Sequence, residues 1–453
     1  MPGPNPIRRT LSLMTEASHE GDPMTETSKT ETSKTETLTD WEVGDTIEVS
    51  VGSVAHGGHF VARHEGRVMF VRHTLPGERV VAQITSIGKG GRFVQADAVR
   101  VIEAAPGRVE APCRFAGPSQ CGGCDFQHVA LDAQRALKTS VVHEQFERLA
   151  QINLTELLGR EVACEPMPGE VDGLGWRTRV EFAVDAAGRP GLRRHHSHDI
   201  LPISDCLIAH PSLKAPAVLK RHYRGVSAVD VVAASSGTVQ VKIGERGAAL
   251  DEVPSVRQDV ALPGGDESFD LSARGFWQVH PASAQTFAAI VCGYLDPQPG
   301  ERGLDLYSGV GLFTASLAQA VGRKGRVVAV ESDVNAVHEA RTNLASWPHA
   351  RVRAGRVDRA VRDMARSHTR ADIVVLDPPR VGAGKAVLRD LALLGSRAIA
   401  YVACDPAALS RDTAYLADCG YELVDLRVFD AFPMTHHMEC VAHFAPASSR
   451  TSS

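Results

Sequence analysis

Cys404 and Glu439 are the residues of this sequence whose positions first suggest chemistry. Cys404 ends an apolar strand-like run, and Asp405 and Pro406 then begin a predicted helix. Ligands of open α/β sheets bind at the carboxyl ends of strands, and a helix N-terminus favours a thiolate. A lone cysteine is usually core filler, but this position predicts a nucleophile. Glu439 lies in the last predicted strand, where burying a carboxylate is costly unless it is paired or has a function.

A glycine-containing turn predicts a ligand site on the same sheet. A strand ends at Asp305 and runs into Gly309 and Gly311, which let the backbone approach a ligand closely. The next strand, RVVAVE, ends in Glu331, whose carboxylate can accept hydrogen bonds from ribose hydroxyls. A dehydrogenase could show the same turn. The lack of a third, pyrophosphate-type glycine favours an adenosyl ligand without phosphates.

A third strand, ADIVVLDPPR, ends in Asp377 and two prolines at the edge of the same predicted pocket. This is the place where a methyl acceptor would lie. Enzymes that methylate exocyclic amines carry an aromatic residue after the prolines, whereas Arg380 stands there in this chain. Methylation of an amine is therefore disfavoured. A turn without function is the alternative, and the succession of Asp305, Gly309, Gly311 and Glu331 before it argues against that alternative.

Nine cysteines in 453 residues are too few for a disulfide-stapled scaffold, so they are core residues, metal ligands or nucleophiles. Cys113, Cys121 and Cys124 have the spacing C-x7-C-x2-C, with two glycines in the short loop that a shared metal centre needs. Cys206 lies far along the chain. Four more cysteines are predicted to be packing residues: Cys164, Cys292, Cys419 and Cys440.

Length and composition limit the kind of protein that these residues belong to. A chain of 453 residues suggests roughly two to four domains, and 43% hydrophobic residues can form a core. No apolar run is long enough to cross a bilayer. Arg8 and Arg9 are followed by acidic and polar residues rather than an apolar segment, so export is rejected and a cytoplasmic location is expected. The net charge is −5, so a polyanionic partner must be met by local basic patches.

The pattern along the chain predicts an α/β protein of three domains between two tails. Residues 1–40 contain the repeat TETSKTETSKTET and are predicted to be a disordered tail, as are residues 447–453; Met24 is a possible alternative start. Five short strands in 41–101 predict an OB-type β-barrel, with an SH3-like structural barrel as the alternative. Residues 102–270 predict a mixed α+β central domain. Alternating strands and helices in 271–446 predict a Rossmann-like doubly wound sheet.

With these features in place, the chain resembles the bacterial RNA uracil-5-methyltransferase family, which makes 5-methyluridine in rRNA and tRNA. The resemblance spans about residues 41–444, and the barrel resembles the TRAM domain of that family. The motifs that carry it are DLYSGVGLFTASLA, DIVVLDPPRVG, YVACDPAALSRD and FPMTHHMECVA. It implies a class I methyltransferase domain that uses S-adenosylmethionine to methylate carbon 5 of a uridine in RNA.

The resemblance also implies roles for individual residues. Cys404 would add to carbon 6 of uracil so that carbon 5 becomes nucleophilic, and Glu439 would then accept the carbon 5 proton. The target base would have to be flipped out or unpaired. The implied contacts of the methyl donor are Gln278, Tyr307, Glu331 and Asp377, with Asp358 near the adenine.

For the cysteines, the resemblance implies that Cys113, Cys121, Cys124 and Cys206 hold a 4Fe–4S cluster. The first spacing is longer than in better-known members, and zinc bound by four thiolates is the alternative. Members with both barrel and cluster more often modify large-subunit (23S) rRNA, so rRNA is favoured over tRNA as the substrate. A monomer is expected. Two rival functions are a noncatalytic RNA-binding protein with the same fold and a methyltransferase of DNA or small molecules, which the barrel disfavours.

Two further groups of residues are open to more than one interpretation. His195, His196 and His198 lie beside Arg193 and Arg194, where an RNA-facing loop is favoured over a metal site. The stretch 351–370 contains seven arginines and only two acidic residues. It predicts either RNA phosphate binding or a solvated helix surface.

Overall fold

A closed five-stranded barrel opens the part of the chain that the structure, a computed structural model, describes: residues 41–447. Neighbouring strands follow the order β1-β2-β3-β5-β4. Side chains that alternate along each strand fill the interior, among them Phe60, Met69 and Val80, none of which is exposed. The barrel prediction is confirmed. The strands are β1 (Thr46–Ala55), β2 (His59–His64), β3 (Arg67–Arg72), β4 (Arg79–Ile87) and β5 (Phe93–Glu103).

The predicted N-terminal tail, residues 1–40 with Met24, lies outside the described residues, as do residues 448–453 of the tail predicted at 447–453. Ala447, the last described residue, donates its amide hydrogen to the Gly420 carbonyl at 2.8 Å.

The mixed α+β region follows the barrel and contains a five-stranded antiparallel sheet in the order β11-β10-β7-β8-β9. Its bounds are α1 (Leu131–Gln145), α2 (Leu154–Leu158), β6 (Cys164–Pro166), β7 (Arg179–Val184), β8 (Pro190–Arg193), β9 (Ile200–Pro202), α3 (Ala215–Leu219), β10 (Ala228–Ala234) and β11 (Gly237–Ile243).

An eight-stranded sheet in the order β16-β15-β14-β17-β18-β20-β19-β6 forms the C-terminal half. Strands β14 to β18 are parallel, and every residue of β17 and β18 is buried because helices cover both faces. The doubly wound prediction is confirmed. The strands are β14 (Arg302–Leu306), β15 (Arg326–Glu331), β16 (Ala350–Ala354), β17 (Ile373–Leu376), β18 (Ala398–Ala403), β19 (Tyr421–Asp430) and β20 (Glu439–Pro446).

Six helices connect and cover these strands. Of all helices between residues 41 and 447, none is both long and apolar enough to cross a membrane. The six are α4 (Ser283–Leu295), α5 (Leu312–Val321), α6 (Val334–Asn343), α7 (Val357–Arg366), α8 (Lys385–Ala392) and α9 (Pro406–Asp418). Their apolar faces and the sheet share one core, which includes Phe287, Leu317 and Val375.

Two elements link the central and C-terminal regions. The hairpin of β12 (Ser255–Leu262) and β13 (Gly265–Ser272) spans the domain border predicted at residue 270 and is tied to α6, where the Asp270 amide donates to Asn343 Oδ1 at 2.9 Å. Strand β6 lies in the central region by sequence but pairs in parallel with β19. The predicted domain borders therefore remain predictions.

Polar contacts join the barrel to the rest of the chain. Arg72, at the end of β3, is buried and lies 3.3 Å from Asp125 Oδ1, next to the cysteine loop. The second carboxylate oxygen of Asp125 pairs with His436 Nδ1 at 2.6 Å. In the turn between β1 and β2, His56 Nε2 lies 3.2 Å from Asp405 Oδ2, one residue after Cys404. The barrel thus contacts the loops that surround the predicted nucleophile.

Candidate active site

A cavity of about 740 Å³ lies at the carboxyl ends of the parallel strands. It opens beside β14 and β17, where the strand order reverses, which is the usual ligand position in open α/β sheets. Six of the predicted catalytic and cofactor-binding residues line it: Gln278, Tyr307, Glu331, Asp377, Cys404 and Glu439. Asp358 does not line it, and its carboxylate instead pairs with Arg356 at 3.0 and 3.1 Å.

The turn after β14 has the backbone conformation that the glycine pattern predicts. Gly309 and Gly311 have φ values of 52° and 99°, and a Cβ at Gly311 would lie 3.2 Å from Leu344 Cδ1. Tyr307 also has a positive φ of 63°, which is unusual for a bulky residue, and its amide donates to the Val330 carbonyl at 3.0 Å. The turn therefore brings backbone atoms and the Tyr307 side chain to the cavity wall.

Two carboxyl groups lie at the ends of neighbouring strands β14 and β17. Asp305 is completely buried, and Thr314 Oγ1 donates to one of its oxygens, while its second oxygen has no hydrogen-bond partner among the described residues. Burial raises the pKa of Asp305 to about 7. Burial, together with the neighbouring Asp305, also raises the pKa of Asp377 to about 7. Of the two, only Asp377 lines the cavity, so the charge of the cavity wall depends on pH near neutrality.

The Glu331 carboxylate at the end of β15 is held in place by backbone amides. Gly309 donates to Oε2 at 3.0 Å, while Ser332 and Asp333 donate to Oε1 at 2.5 and 2.7 Å. A carboxylate oxygen can accept more than one hydrogen bond, so Oε2, which accepts one from Gly309, can accept another. A fixed carboxylate of this kind suits a ligand with hydroxyl groups.

Cys404 follows β18 directly, and Asp405 caps α9 by accepting the Ala408 amide at 2.8 Å. Burial raises the pKa of Cys404 to about 12, and nearby Glu439 and Asp377 add to this, while Arg380 lowers it. Burial thus acts against the thiolate that the position before α9 was predicted to favour.

Glu439 begins β20 and is only 3% exposed. Burial and then the charge of Asp377 raise the pKa of its carboxyl group well above the usual value, and Arg380 opposes this rise. Arg380 is thus the cation that acts on both Cys404 and Glu439. A smaller cavity of about 80 Å³ lies toward the barrel and shares Cys404 and Arg380 with the larger one.

The segment that carries Gln278 is anchored by backbone contacts. The amide and hydroxyl of Thr178 donate to the Val279 carbonyl at 2.9 and 2.8 Å. Phe276, two residues before Gln278, lines the cavity and is 73% exposed. Sequence reasoning missed Phe276 and two further aromatic residues of the wall, Trp277 and Phe432. The signal for Phe276 was available, since it belongs to the same GFWQVHP segment as Gln278.

The predicted metal-binding cysteines are free and lie near one another. Burial, and additionally the neighbouring cysteine thiols, raise the pKa of Cys121 and Cys206, in the case of Cys206 to about 11. Backbone Gly123 donates to Cys121 Sγ and Gln127 Nε2 donates to Cys124 Sγ, both at 3.4 Å. Sulfur atoms that accept hydrogen bonds in this way suit thiolate ligands.

The cysteine loop is also packed closely against its surroundings. A Cβ at Gly122 would lie 2.9 Å from the His195 backbone, so a glycine is needed there. Between residues 41 and 447, however, no three His, Cys, Asp or Glu side chains are arranged so that they could hold a metal ion. One thiol can raise the pKa of another over a longer distance than that at which two sulfur atoms share a metal ion. We therefore conclude that the four thiols are neighbours but not in ligand geometry.

The histidine cluster and the arginine-rich stretch both make contacts within the protein. The rings of His195 and His196 meet edge to face at 4.1 Å, and burial lowers the pKa of His195 to about 4. In the arginine-rich stretch, three arginines form ion pairs within the protein: Arg353 with Asp363, Arg356 with Asp358 and Arg362 with Asp390. Contact of either group with RNA remains a prediction.

Comparison with solved structures identifies the class of the fold. The structure is similar to that of the Pyrococcus abyssi tRNA (uracil-54, C5)-methyltransferase in complex with S-adenosyl-L-homocysteine, with a TM-score of 0.62 and 20% identity over 88% of this chain and 100% of that one. The sheet order and the cavity at its carboxyl edge agree with this similarity. The C-terminal half is thus a class I S-adenosylmethionine-dependent methyltransferase fold.

Sequence comparison then identifies the family. Family models match residues 40–105, as a TRAM domain, and residues 255–445, as tRNA (Uracil-5-)-methyltransferase. An uncharacterized RNA methyltransferase of Streptomyces coelicolor is 46% identical over 90% of this chain and 94% of its own length. Another, of Bifidobacterium longum, is 35% identical over 88% of this chain and 96% of its own length. The chain belongs to the RNA uracil-5-methyltransferase family, as its motifs predict.

Proposed function

We propose that this protein methylates carbon 5 of a uridine in RNA through a covalent bond between Cys404 and carbon 6 of the base. The observation that carries this proposal is that a nucleophile and a buried carboxyl group, Cys404 and Glu439, line the same cavity as Glu331. A thiol, a proton acceptor and an adenosyl-type site in one cavity are the components that this reaction requires.

The chemistry assigns separate tasks to these residues. Carbon 5 of uracil is a weak nucleophile, and addition of the Cys404 sulfur to carbon 6 transfers electron density to it. Bound S-adenosylmethionine supplies the methyl group and, through its positive sulfonium, a charge that favours ionisation of the acidic groups in the cavity. Glu439, in its ionised form, then accepts the carbon 5 proton. The electrons of the broken carbon–hydrogen bond restore the double bond between carbons 5 and 6 and expel the Cys404 thiolate, which frees the methylated base and leaves S-adenosyl-L-homocysteine as the second product. The positive charge of Arg380 stabilises the negative charges that form on Cys404 and Glu439 during these steps.

We assign the methyl donor to the large cavity. Glu331, held by three amides, would bind the ribose hydroxyls. Gln278, Tyr307 and Asp377 would contact the remainder of the donor, since all three line the same cavity. Asp358 is proposed only near the adenine end, because it lies outside the cavity and is engaged by Arg356.

The RNA is proposed to be 23S rRNA, and the cytoplasm is then the expected location. The barrel supports an RNA substrate that reaches from the TRAM domain to Cys404, because His56 of the barrel contacts Asp405. A tRNA is the second candidate, favoured by the similar fold of an enzyme described as acting on uracil 54 of tRNA. A deletion strain lacking 5-methyluridine at one rRNA position would support the first proposal, and loss from tRNA would support the second. A monomer is the expected active species.

The covalent step can be tested with RNA that contains 5-fluorouridine. Fluorine at carbon 5 cannot be removed as a proton is, so the enzyme should remain bonded to the RNA after denaturation, and the peptide that carries the adduct should contain Cys404. Cys404→Ala should form no adduct, whereas Cys419→Ala, at the far end of α9, should form it as the wild type does. RNA binding without adduct or methyl transfer would instead indicate a noncatalytic RNA-binding protein.

We also propose that Cys113, Cys121, Cys124 and Cys206 hold a 4Fe–4S cluster after a local rearrangement of the cysteine loop. The proposal is supported by the proximity of the four free thiols and by the hydrogen bonds that Cys121 and Cys124 accept. Anaerobically purified protein should be brown and contain iron and sulfide, and Cys206→Ser should lose both. A colourless protein that contains zinc would replace this proposal with the zinc alternative.

A further inference from the structure

Asp412 is a buried carboxylate in the middle of α9 that the reaction above does not use. It is 2% exposed and lies eight residues after Cys404 on the helix that follows the nucleophile. Its Oδ2 atom accepts hydrogen bonds from the Tyr401 hydroxyl at 2.6 Å and from the Ala383 amide at 2.7 Å. The Gly384 amide donates to both carboxylate oxygens, at 3.3 and 3.2 Å. All these partners lie outside α9.

These hydrogen bonds hold the loop that connects β17 to α8. The loop begins at Asp377 and passes through Arg380 before it reaches Ala383 and Gly384. Both Asp377 and Arg380 line the large cavity, and Arg380 also lines the smaller one. Asp412 therefore connects the helix that starts beside Cys404 with the loop that carries two charged groups of the site.

The fit between this loop and Asp412 is close. Gly382 has a φ of 85°, and a Cβ there would lie 2.8 Å from Asp412 Oδ2 and 3.4 Å from the Ala408 side chain. The Gly382 amide also donates to the Pro379 carbonyl at 2.8 Å, which closes a turn. The close contact with the Asp412 carboxylate therefore restricts the backbone conformation of the loop where it crosses α9.

Asp412 also influences a third side of the site. Its charge is, after burial, the largest influence that raises the pKa of the Tyr307 hydroxyl, to about 12. Tyr307 lines the cavity from the turn after β14. The carboxylate thus lies behind the cavity wall, near loops that carry proposed contacts of the methyl donor.

We propose that Asp412 is a positioning residue for methyl transfer, which holds the loop from Asp377 to Gly384 so that Asp377 and Arg380 face Cys404. This inference rests on the proposed function. Catalysis by positioned groups is sensitive to displacements of about 1 Å, which can lower a rate roughly a hundredfold. A residue that acts only on stability would change the melting temperature without a specific effect on turnover.

The test uses Asp412→Asn, which keeps the size of the side chain and removes one strong acceptor. We expect kcat for uridine methylation to fall roughly ten- to a hundredfold, while the KM for RNA stays within about twofold. Hydrogen exchange at the Ala383 and Gly384 amides should become faster. Gly382→Ala places a methyl group against Asp412 Oδ2 and so displaces the loop. It should lower kcat similarly, and the effects of the two substitutions should be less than additive in the double variant.

The matched control is Ser410→Ala, two residues earlier on α9. Ser410 is fully buried, and its hydroxyl donates only within the helix, to the Pro406 carbonyl at 2.7 Å. It should lower the melting temperature without changing kcat or the exchange of the loop amides. An unchanged kcat in folded Asp412→Asn, or an equal loss of kcat in Ser410→Ala, would overturn the proposal.

A further measurement separates this proposal from the proposed function. If the wild type methylates no uridine, the proposed function fails, and the role of Asp412 is then decided by binding of S-adenosyl-L-homocysteine to the full chain. Weaker binding by Asp412→Asn, together with faster exchange at Ala383 and Gly384, would support the positioning role. Unchanged affinity and exchange would overturn it.

Discussion

At the scale of single residues, the candidate active site combines acidic groups whose pKa values are raised by burial. Cys404, Asp377 and Glu439 each have a raised pKa, and in each case a neighbouring acid adds to the effect of burial. Such clusters are common where catalysis needs acids and bases near neutral pH. A positive charge brought close to these groups would lower their pKa values.

Replacement of Glu439 should allow methyl transfer to carbon 5 but block the later release of the base from Cys404. In Glu439→Gln, Cys404 can still add to the base and carbon 5 can still be methylated, but the proton acceptor is missing. We expect a denaturation-resistant adduct with ordinary uridine RNA and S-adenosylmethionine, and product release lowered by roughly a hundredfold or more. Gel analysis and peptide mapping measure the adduct. Glu331→Gln, which should weaken donor binding instead, serves as the control and should accumulate no adduct.

Asp305 should make stability depend on pH in a defined direction. Its pKa rises from the ordinary 3.8 to about 7 on folding, so its contribution is fully present below pH 4 and is lost as the pH rises through 7. The side chain of Asp305→Asn does not ionise, so it adds no such pH dependence. Between pH 4 and pH 8 the free energy of unfolding of the wild type should therefore fall by up to about 4 kcal/mol relative to that of the variant. Urea unfolding at several pH values measures this. The exposed Asp266→Asn should show no such difference, and a parallel pair of curves for Asp305→Asn would contradict the assignment.

The residues at strand ends could be predicted from the sequence, and one buried partner could not. Tyr307, Glu331, Asp377 and Cys404 each follow or end a recognisable apolar strand, and parallel strands bring their carboxyl ends together. Asp412 lies within a helix, and its importance depends on a loop whose path only tertiary structure determines. The raised pKa of Cys404 was missed for a related reason, since burial depends on neighbours that the local sequence does not specify.

At the scale of secondary-structure elements, a buried ion pair joins α1 to the catalytic sheet. Lys138 of α1 is 1% exposed and donates to Asp430 of β19, which is fully buried, and to the Phe432 carbonyl at 3.2 Å. Such a pair can offset its own desolvation only while both partners are present. It also fixes the segment that leads from β19 to Glu439.

Lys138→Met should therefore be strongly destabilising, by about 3 to 5 kcal/mol, because it leaves Asp430 buried without its closest cation. Chemical denaturation measures the change. The control is Lys385→Met, which breaks an exposed pair with Asp418 at 3.7 Å and should cost less than about 1 kcal/mol. Similar losses in the two variants would show that the buried pair has no special role.

The barrel and the parallel strands were predictable at this scale, whereas some pairings were not. Alternating or continuous apolar runs identified the strands of the barrel and β14, β15, β17 and β18. Strand β16 lies at the start of the arginine-rich stretch, which was interpreted as a helix surface. Strand β6 has only three residues, Cys164–Pro166, and no periodicity can identify so short an element. Its place beside β19 follows from tertiary packing, which also includes the Arg427–Glu165 ion pair at 2.6 Å.

At the scale of the whole molecule, Asp125 connects three regions. It contacts Arg72 of the barrel and His436 of the loop before β20, and it directly follows Cys124. The amides of Asp125 and Phe126 both donate to the Met434 carbonyl, at 2.9 and 3.0 Å. The cysteine loop is therefore tied to the segment that leads to Glu439.

Removal of the proposed cluster should consequently affect catalysis at a distance. When iron is removed by oxidation and chelation, we expect methylation to fall by roughly tenfold or more and the segment 432–438 to exchange its amide hydrogens faster. Iron content, methyl transfer and hydrogen exchange on the same samples measure this. Full activity in a metal-free protein would mean that the cysteine loop holds its shape unaided.

The pairing of β6 with β19 has a consequence for the synthesis of this chain. Val428 of β19 pairs with Cys164, which leaves the ribosome more than two hundred residues earlier. Contacts so distant in sequence form late and slow folding, so the nascent β6 segment has to wait for nearly the whole polypeptide before its partner exists. A ribosome that stalls before residue 421 would release a product with an unfinished sheet, whose open edge invites association with neighbouring chains.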